Sequence, residues 1–252
     1  KSSPMGSHWQ VGSPALPSGA VTPYAHPMSM PVATILRSIP LFQHLDDLEV
    51  EALAGLFRQR SFARGSVIVS QGDPGDAMFL IAEGQVKVAV LAEDGREVIL
   101  AVHSDRGFFG EMALLDDEPR SAHVIAMTDA VLLQLRREDF RSRLRDSPGL
   151  AAALLRELTG RLRRADETIA NLALLDVNGR IAHLLLEMAR EEGGRRITRK
   201  LTHATIAQMV GASRETVSRT MKSLAVQGVI AVSRREIVIQ NADQLRLAAQ
   251  HG

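Results

Sequence analysis

The stretch FGEMALLDDEPRSAHV, residues 109–124, places a Gly110-Glu111 pair and then an Arg120-Ser121 pair between two β-rich runs. A folded core has no need for that arrangement, so it points to a bound polar group, and the Arg favours an anionic one. The runs on either side decide the architecture. Upstream lie 66–70, 78–82, 85–91 and 97–102, and downstream lie 122–126 and 130–135, all rich in β-branched and apolar residues. Turn signals separate them: Arg64-Gly65, Gly72-Asp73-Pro74-Gly75-Asp76, Glu83-Gly84, Glu93-Asp94-Gly95 and Asp105-Arg106-Gly107. Short strands at this spacing predict a small antiparallel barrel or jelly roll.

Moving toward the N-terminus, Ile35, Leu36, Ile39, Leu41, Phe42, Leu45, Leu48, Val50, Leu53 and Leu56 suit short helices, with Asp46-Asp47 as a helix start. Residues 1–31 are rich in Pro, Ser and Gly, without periodicity, and read as a cloning scar followed by a disordered leader. They hold Trp9 and Tyr24, the only residues of their types, so neither is given a function.

Toward the C-terminus a long helix is expected after Ser147-Pro148-Gly149. Leu155, Leu162 and Ile169 recur every seven residues, as do Leu158, Ala165 and Leu172. The two series form an a/d seam flanked by Arg161, Arg163, Arg164, Asp166 and Glu167. A narrow stripe of this kind favours dimerisation, although an amphipathic helix lying on its own barrel would read similarly. A further helix spans 179–193 and ends at Gly193-Gly194. In LTHATIAQMVGASRETVSRTMKSLAVQGVI, residues 201–230, Thr202 caps a helix of about eight residues that ends at Gly211. Gly211-Ala212 makes a tight turn and Ser213 caps the next helix, which is a helix-turn-helix pattern. Runs 229–232 and 236–239, joined through Ser233-Arg234-Arg235, suit a small β-wing. On the second helix Arg214, Glu215 and Arg219 are expected on the exposed side, with Val217 and Met221 turned inward. Arg can read a guanine edge through two hydrogen bonds and Glu can accept from a cytosine amine.

Charge agrees with that assignment. The chain of 252 residues has a net charge of +1, yet residues 178–252 hold 12 Lys/Arg against 6 Asp/Glu, a net +6. The absence of Cys excludes disulfides, thiolate catalysis and iron–sulfur clusters. With 45% hydrophobic residues and no apolar run near the roughly 20 residues that cross a bilayer, a soluble, cytoplasmic protein without a membrane partner is expected. No metal-ligand, nucleophile or phosphate-loop motif of a familiar enzyme is present, so no catalytic residue and no metal site are assigned. His103 and His123 leave a haem sensor formally open.

The segments GDPGDAMFLIAEGQVKV, FGEMALLDDEPRSA, NLALLDVNGRIA and VGASRETVSR together resemble the cyclic-AMP receptor protein/FNR family of transcription regulators over about residues 34–245. The resemblance implies an α+β protein. A cyclic-nucleotide-binding jelly roll would occupy 32–147, a long dimerisation helix 148–177 and a winged helix-turn-helix 178–252. It also implies a homodimer, no catalytic activity, no cofactor beyond a cyclic nucleotide as allosteric ligand, and RNA polymerase as a partner. The DNA expected is double-stranded and near-palindromic with TGTGA-like half-sites, contacted from Thr202, Ser213, Arg214, Glu215, Ser218 and Arg219. In the nucleotide-binding members a Gly-Glu pair opens a short helix and an Arg-Ser pair follows it. Carried onto this chain, Gly110 and the amides that follow, at Glu111, Met112 and Ala113, offer N–H groups to the phosphate. Glu111 accepts from the ribose 2′-hydroxyl, Arg120 pairs with the cyclic phosphate and Ser121 donates a further hydrogen bond. A structural Glu–Arg ion pair in a turn is the plainer alternative.

One departure bears on the ligand. Where the cyclic-AMP receptor uses neighbouring Thr and Ser against adenine, this chain has Ala165 and Asp166. Ala makes no base hydrogen bond, and Asp accepts, which suits the N1–H and N2–H₂ donors of guanine. A guanine nucleotide, cyclic GMP or cyclic di-GMP, therefore stands beside cyclic AMP as the expected ligand, with Arg163 and Arg164 placed to meet a guanine Hoogsteen edge or second phosphate. Equally, Asp166 could simply pair with an Arg on the helix surface.

Overall fold

A computed structural model describes residues 30–199, 201–233 and 236–250. The leader expected over residues 1–31 falls almost wholly outside these, as do Arg234 and Arg235, which lie between the two wing runs expected from the sequence. The described residues form two compact units, one of 57–137 and one combining 30–56 with 138–250.

The first unit is built from β1 (Arg58–Phe62), β2 (Val67–Val69), β3 (Ala77–Glu83), β4 (Val86–Leu91), β5 (Glu97–His103), β6 (Phe108–Phe109), the short helix α1 (Met112–Leu115), β7 (His123–Ala126) and β8 (Ala130–Arg136). Two antiparallel four-stranded sheets result, in orders β1-β8-β3-β6 and β2-β7-β4-β5, which is the jelly roll expected from the sequence. Ala77, Phe79, Ile81, Val86, Phe109, Val124, Ala130 and Leu132 pack together as a core, and Phe79 stacks on Phe109 at 5.2 Å between ring centres. Two strands escaped the sequence reading. Strand β1, RQRSF, has too few apolar residues to signal itself, and exists because it pairs in register with β8 from Arg58↔Gln134 to Phe62↔Ala130. Strand β6 is only two residues long.

The second unit begins with α2 (Val32–Ser38), a single 3₁₀ turn (Pro40–Phe42) and α3 (Asp47–Ala54). The expected start at Asp46 is a full capping box. Asp46 accepts from the Glu49 N–H at 2.8 Å, while Glu49 accepts from the Asp46 N–H at 2.9 Å. Helix α4 (Arg137–Asp146), which no sequence signal announced, leads to α5 (Pro148–Leu174), capped by Ser147 with Pro148 in its first turn. Then come α6 (Val177–Glu191), β9 (Arg196–Ile197), α7 (His203–Val210), α8 (Arg214–Val226), β10 (Ile230–Val232), β11 (Ile237–Ile239) and α9 (Ala242–Ala248). Ile181, Leu185, Ile206, Val210, Val217, Met221, Ile230 and Leu245 centre its core. The wing is a three-stranded sheet in the order β10-β11-β9 rather than the expected pair, because Ile197 reaches back to pair with Ile237.

Candidate functional site

In the jelly roll, the Gly110–Ala113 segment forms the turn into α1. Gly110 has φ +87, a left-handed conformation open to Gly, and a Cβ there would lie 2.6 Å from Arg120 Nη1. Met112 and Ala113 head the helix, so they have no carbonyl one turn back to receive their N–H groups within it. Arg120 is buried, and so is Glu111. Arg120 Nη1 donates to the Gly110 carbonyl at 2.8 Å and Nη2 to the Ala77 carbonyl at 2.6 Å. Asp76 Oδ1 stands 3.8 Å from Nη2. Burial pushes the guanidinium below its ordinary pKa, and the charges of Asp76 and Glu111 oppose that shift. Gly110, Glu111 and Arg120 are thereby brought together, while Ser121 and Met112 stay exposed.

The loop from Gly72 to Asp76 closes one side. Gly72 N–H donates to the Arg120 carbonyl and Arg120 N–H to the Asp73 carbonyl, each at 2.9 Å. Gly75 packs so closely on α1 that a Cβ would sit 2.2 Å from Ala113 Cβ. Arg137 bridges this loop and the far end of α1, donating to the Gly75 carbonyl from Nε at 2.9 Å and from Nη2, and to Asp117 Oδ1 from Nη1. It was not among the residues expected from sequence. In LRRED it looks like any charged helix start, and its partners lie 62 and 20 residues away. His123 is buried, and its Nδ1 accepts from the Gln71 N–H at 3.2 Å.

Arg164, Ala165 and Asp166 lie on α5, in the other unit, and all three are exposed. Arg164 reaches Glu157 Oε1 at 3.5 Å, and Asp166 makes no ion pair among the described residues. The seam residues Leu155, Leu162 and Ile169 are 65%, 62% and 65% exposed, an uncovered apolar stripe along α5.

In the helix-turn-helix, Thr202 caps α7 by accepting from the Thr205 N–H at 3.0 Å, and Gly211 ends it in the left-handed region at φ 64, ψ 48. Ser213 caps α8 through the Thr216 N–H at 3.1 Å. Val217, Thr220, Met221 and Leu224 are buried, leaving Arg214, Glu215, Ser218 and Arg219 on the exposed face. Thr220 Oγ1 donates to Asn178 Oδ1 at 2.6 Å, tying α8 to α6. Asn178 was missed because nothing local marks a partner 42 residues on.

Comparison with known proteins covers both regions. The cyclic nucleotide-binding domain family matches residues 59–147, and the Crp-like helix-turn-helix domain family matches 179–248. A CRP-like cAMP-activated global transcriptional regulator of Mycobacterium tuberculosis is 35% identical over 221 residues, 86% of this chain and 99% of that protein. The cyclic AMP receptor protein of Thermus thermophilus is 35% identical over 207 residues, 82% of this chain and 95% of the other. The solved structure of FixK2 from Bradyrhizobium japonicum aligns with a TM-score of 0.69 at 25% identity, covering 76% of this chain and 96% of FixK2. Likeness that runs through the barrel, the long helix and the helix-turn-helix in one order shows that the chain belongs to the CRP/FNR family of transcription regulators, which are not enzymes.

Proposed function

We propose that the chain is a homodimeric, sequence-specific DNA-binding regulator gated by a cyclic nucleotide held at Gly110, Glu111, Arg120 and Ser121. The observation that carries this is the buried Arg120 guanidinium, fixed by two backbone carbonyls beside the head of α1. It supplies a positioned cation next to backbone N–H groups, which suits a phosphodiester anion. The phosphate pairs with Arg120 and Ser121, Glu111 accepts from the ribose hydroxyl, and the exposed α5 stripe is the dimer seam. Ligand that prefers one arrangement of the dimer raises the population of the DNA-competent form. Two α8 helices then read successive major grooves of a near-palindromic site through Arg214, Glu215 and Arg219.

Cyclic AMP is the first candidate ligand, supported by the names of the two bacterial relatives. A guanine nucleotide is the second, favoured by Asp166, which Arg164 leaves available by turning to Glu157. Isothermal titration with cyclic AMP, cyclic GMP and cyclic di-GMP tests both. Binding of none overturns the ligand assignment, and an Asp166→Ser variant with unchanged guanine-over-adenine preference removes the second candidate.

A further inference from the structure

Three contacts outside the Gly-Glu and Arg-Ser pairs converge on α1 from both sides. Gly75 lies against Ala113 with no room for a side chain. Its carbonyl receives Nε and Nη2 of Arg137, whose own backbone N–H donates to the neighbouring Asp76 carbonyl at 2.8 Å. The third guanidinium nitrogen, Nη1, reaches Asp117, two residues past α1 and itself in the left-handed region at φ 62. Arg137 therefore presses the 72–76 loop onto the helix head with one edge and anchors the helix tail with the other. A planar fork can do this and a flexible ammonium cannot. The same loop carries Asp76 beside the Arg120 guanidinium and exchanges two backbone hydrogen bonds with Arg120.

We infer that Arg137 is a positioning residue for the nucleotide, a strap that holds α1 and the 72–76 loop in the spacing at which the α1 amides and Arg120 face one phosphate together. This rests on the cyclic-nucleotide reading above. Without the strap, loop and helix head separate, and the phosphate meets the amides or the guanidinium but not both at good geometry. Bound ligand should then leave faster, while encounter with the open site changes little.

The test uses the full chain with cyclic AMP and cyclic GMP as probes. Titration gives affinity, stopped-flow displacement of a fluorescent cyclic nucleotide gives the dissociation rate, and thermal unfolding is followed without ligand. Arg137→Met is expected to speed dissociation about tenfold or more, the scale of losing charge-assisted hydrogen bonds. Arg137→Lys and Asp117→Asn should give smaller increases, with ligand-free melting close to wild type, and they carry the test should the Met variant fail to fold. Wild-type dissociation rates in the Lys and Asn variants would overturn the inference, as would lowered melting alone with no change in dissociation. Failure of the wild-type chain to bind either probe would overturn the nucleotide reading and this role with it, whereas binding that Arg120→Lys abolishes and Arg137 variants leave untouched would overturn this role alone.

Discussion

Gly110→Ala isolates the contact on which the proposed nucleotide site rests. At φ +87 a Cβ brings backbone strain of about 1–2 kcal/mol by itself. It would also stand 2.6 Å from Arg120 Nη1 and 3.2 Å from the Ala77 carbonyl, so the guanidinium must retreat from one or both of its acceptors. Arg side chains are flexible at their tips, but this one is buried and fixed by two carbonyls, so retreat strands a charged donor. A lost hydrogen bond to a charged group costs about 1.5–3 kcal/mol. Together the effects reach about 3–5 kcal/mol, a large fraction of the roughly 5–15 kcal/mol that holds a domain folded. For a chain of this length about 2–4 °C is lost per kcal/mol, so Tm should fall by roughly 6–20 °C. Gly65→Ala is the matched control. Its φ is +85, yet a Cβ there meets nothing within 4 Å and its N–H still reaches the Ala126 carbonyl at 2.8 Å. That variant should show the backbone strain alone and bind cyclic nucleotide normally. Equal losses in the two variants, with nucleotide affinity unchanged in both, would refute the claim that Gly110 makes room for the Arg120 guanidinium.

Three other outcomes are expected. Arg214→Ala should weaken preference at one base pair of the half-site by about 1–3 kcal/mol, read from competition binding across single-base operator variants. Gly211→Ala should cost about 1–2 kcal/mol in denaturant unfolding, from the left-handed backbone alone, because its Cβ would lie 3.6 Å from Leu172 Cδ2, an ordinary contact. Burial pushes the Glu192 carboxyl up, but hydrogen bonds from Thr198 and Arg199 more than offset this and hold it below 4.5. A depressed carboxylate stabilises fully above its unfolded pKa and loses that contribution as pH falls through the folded value. Urea unfolding of wild type should therefore weaken between about pH 5 and 3 more steeply than that of Glu192→Gln.

The helix-turn-helix was legible almost residue by residue because each of its signals is local. Thr202, Gly211 and Ser213 act on backbone groups no more than four or five residues away, and a cap or a left-handed Gly is visible in the chain itself. The barrel was legible as a class but not in full. Strands β3, β4, β5, β7 and β8 announce themselves by apolar runs, whereas RQRSF becomes a strand only through β8, about 70 residues on. Helix α4, opening on the charged RRED sequence, buries only Phe140 and so shows little periodicity. At the site, Gly110, Glu111 and Arg120 are grouped through the family resemblance of FGEMALLDDEPRSA, a contiguous segment that holds all three. The Ala77 carbonyl that fixes Arg120 and the Gly75 carbonyl that holds Arg137 could not be found in this way, since a backbone oxygen has no sequence signature.

With the phosphate paired to Arg120 as proposed, the anion site would be strong without being rich in charge. Arg120 does not wait in solvent for an anion, and its guanidinium is fixed by carbonyls supplied by a strand and a turn. Ordering that side chain has been accomplished by folding, so an arriving anion does not bear the entropy of immobilising it. Asp76, the nearby carboxylate, is 84% exposed at its side chain and 3.8 Å away, so water screens its hold on the guanidinium. A phosphate accepting from backbone amides and the guanidinium together would meet a less hydrated, better aligned set of donors than Asp76 does. In the proposed site the competition would therefore favour the ligand, because the protein's own anion sits at the edge of the site rather than in it, and a substitution that drew Asp76 closer to Arg120 is expected to weaken nucleotide binding without removing a single proposed contact to the nucleotide.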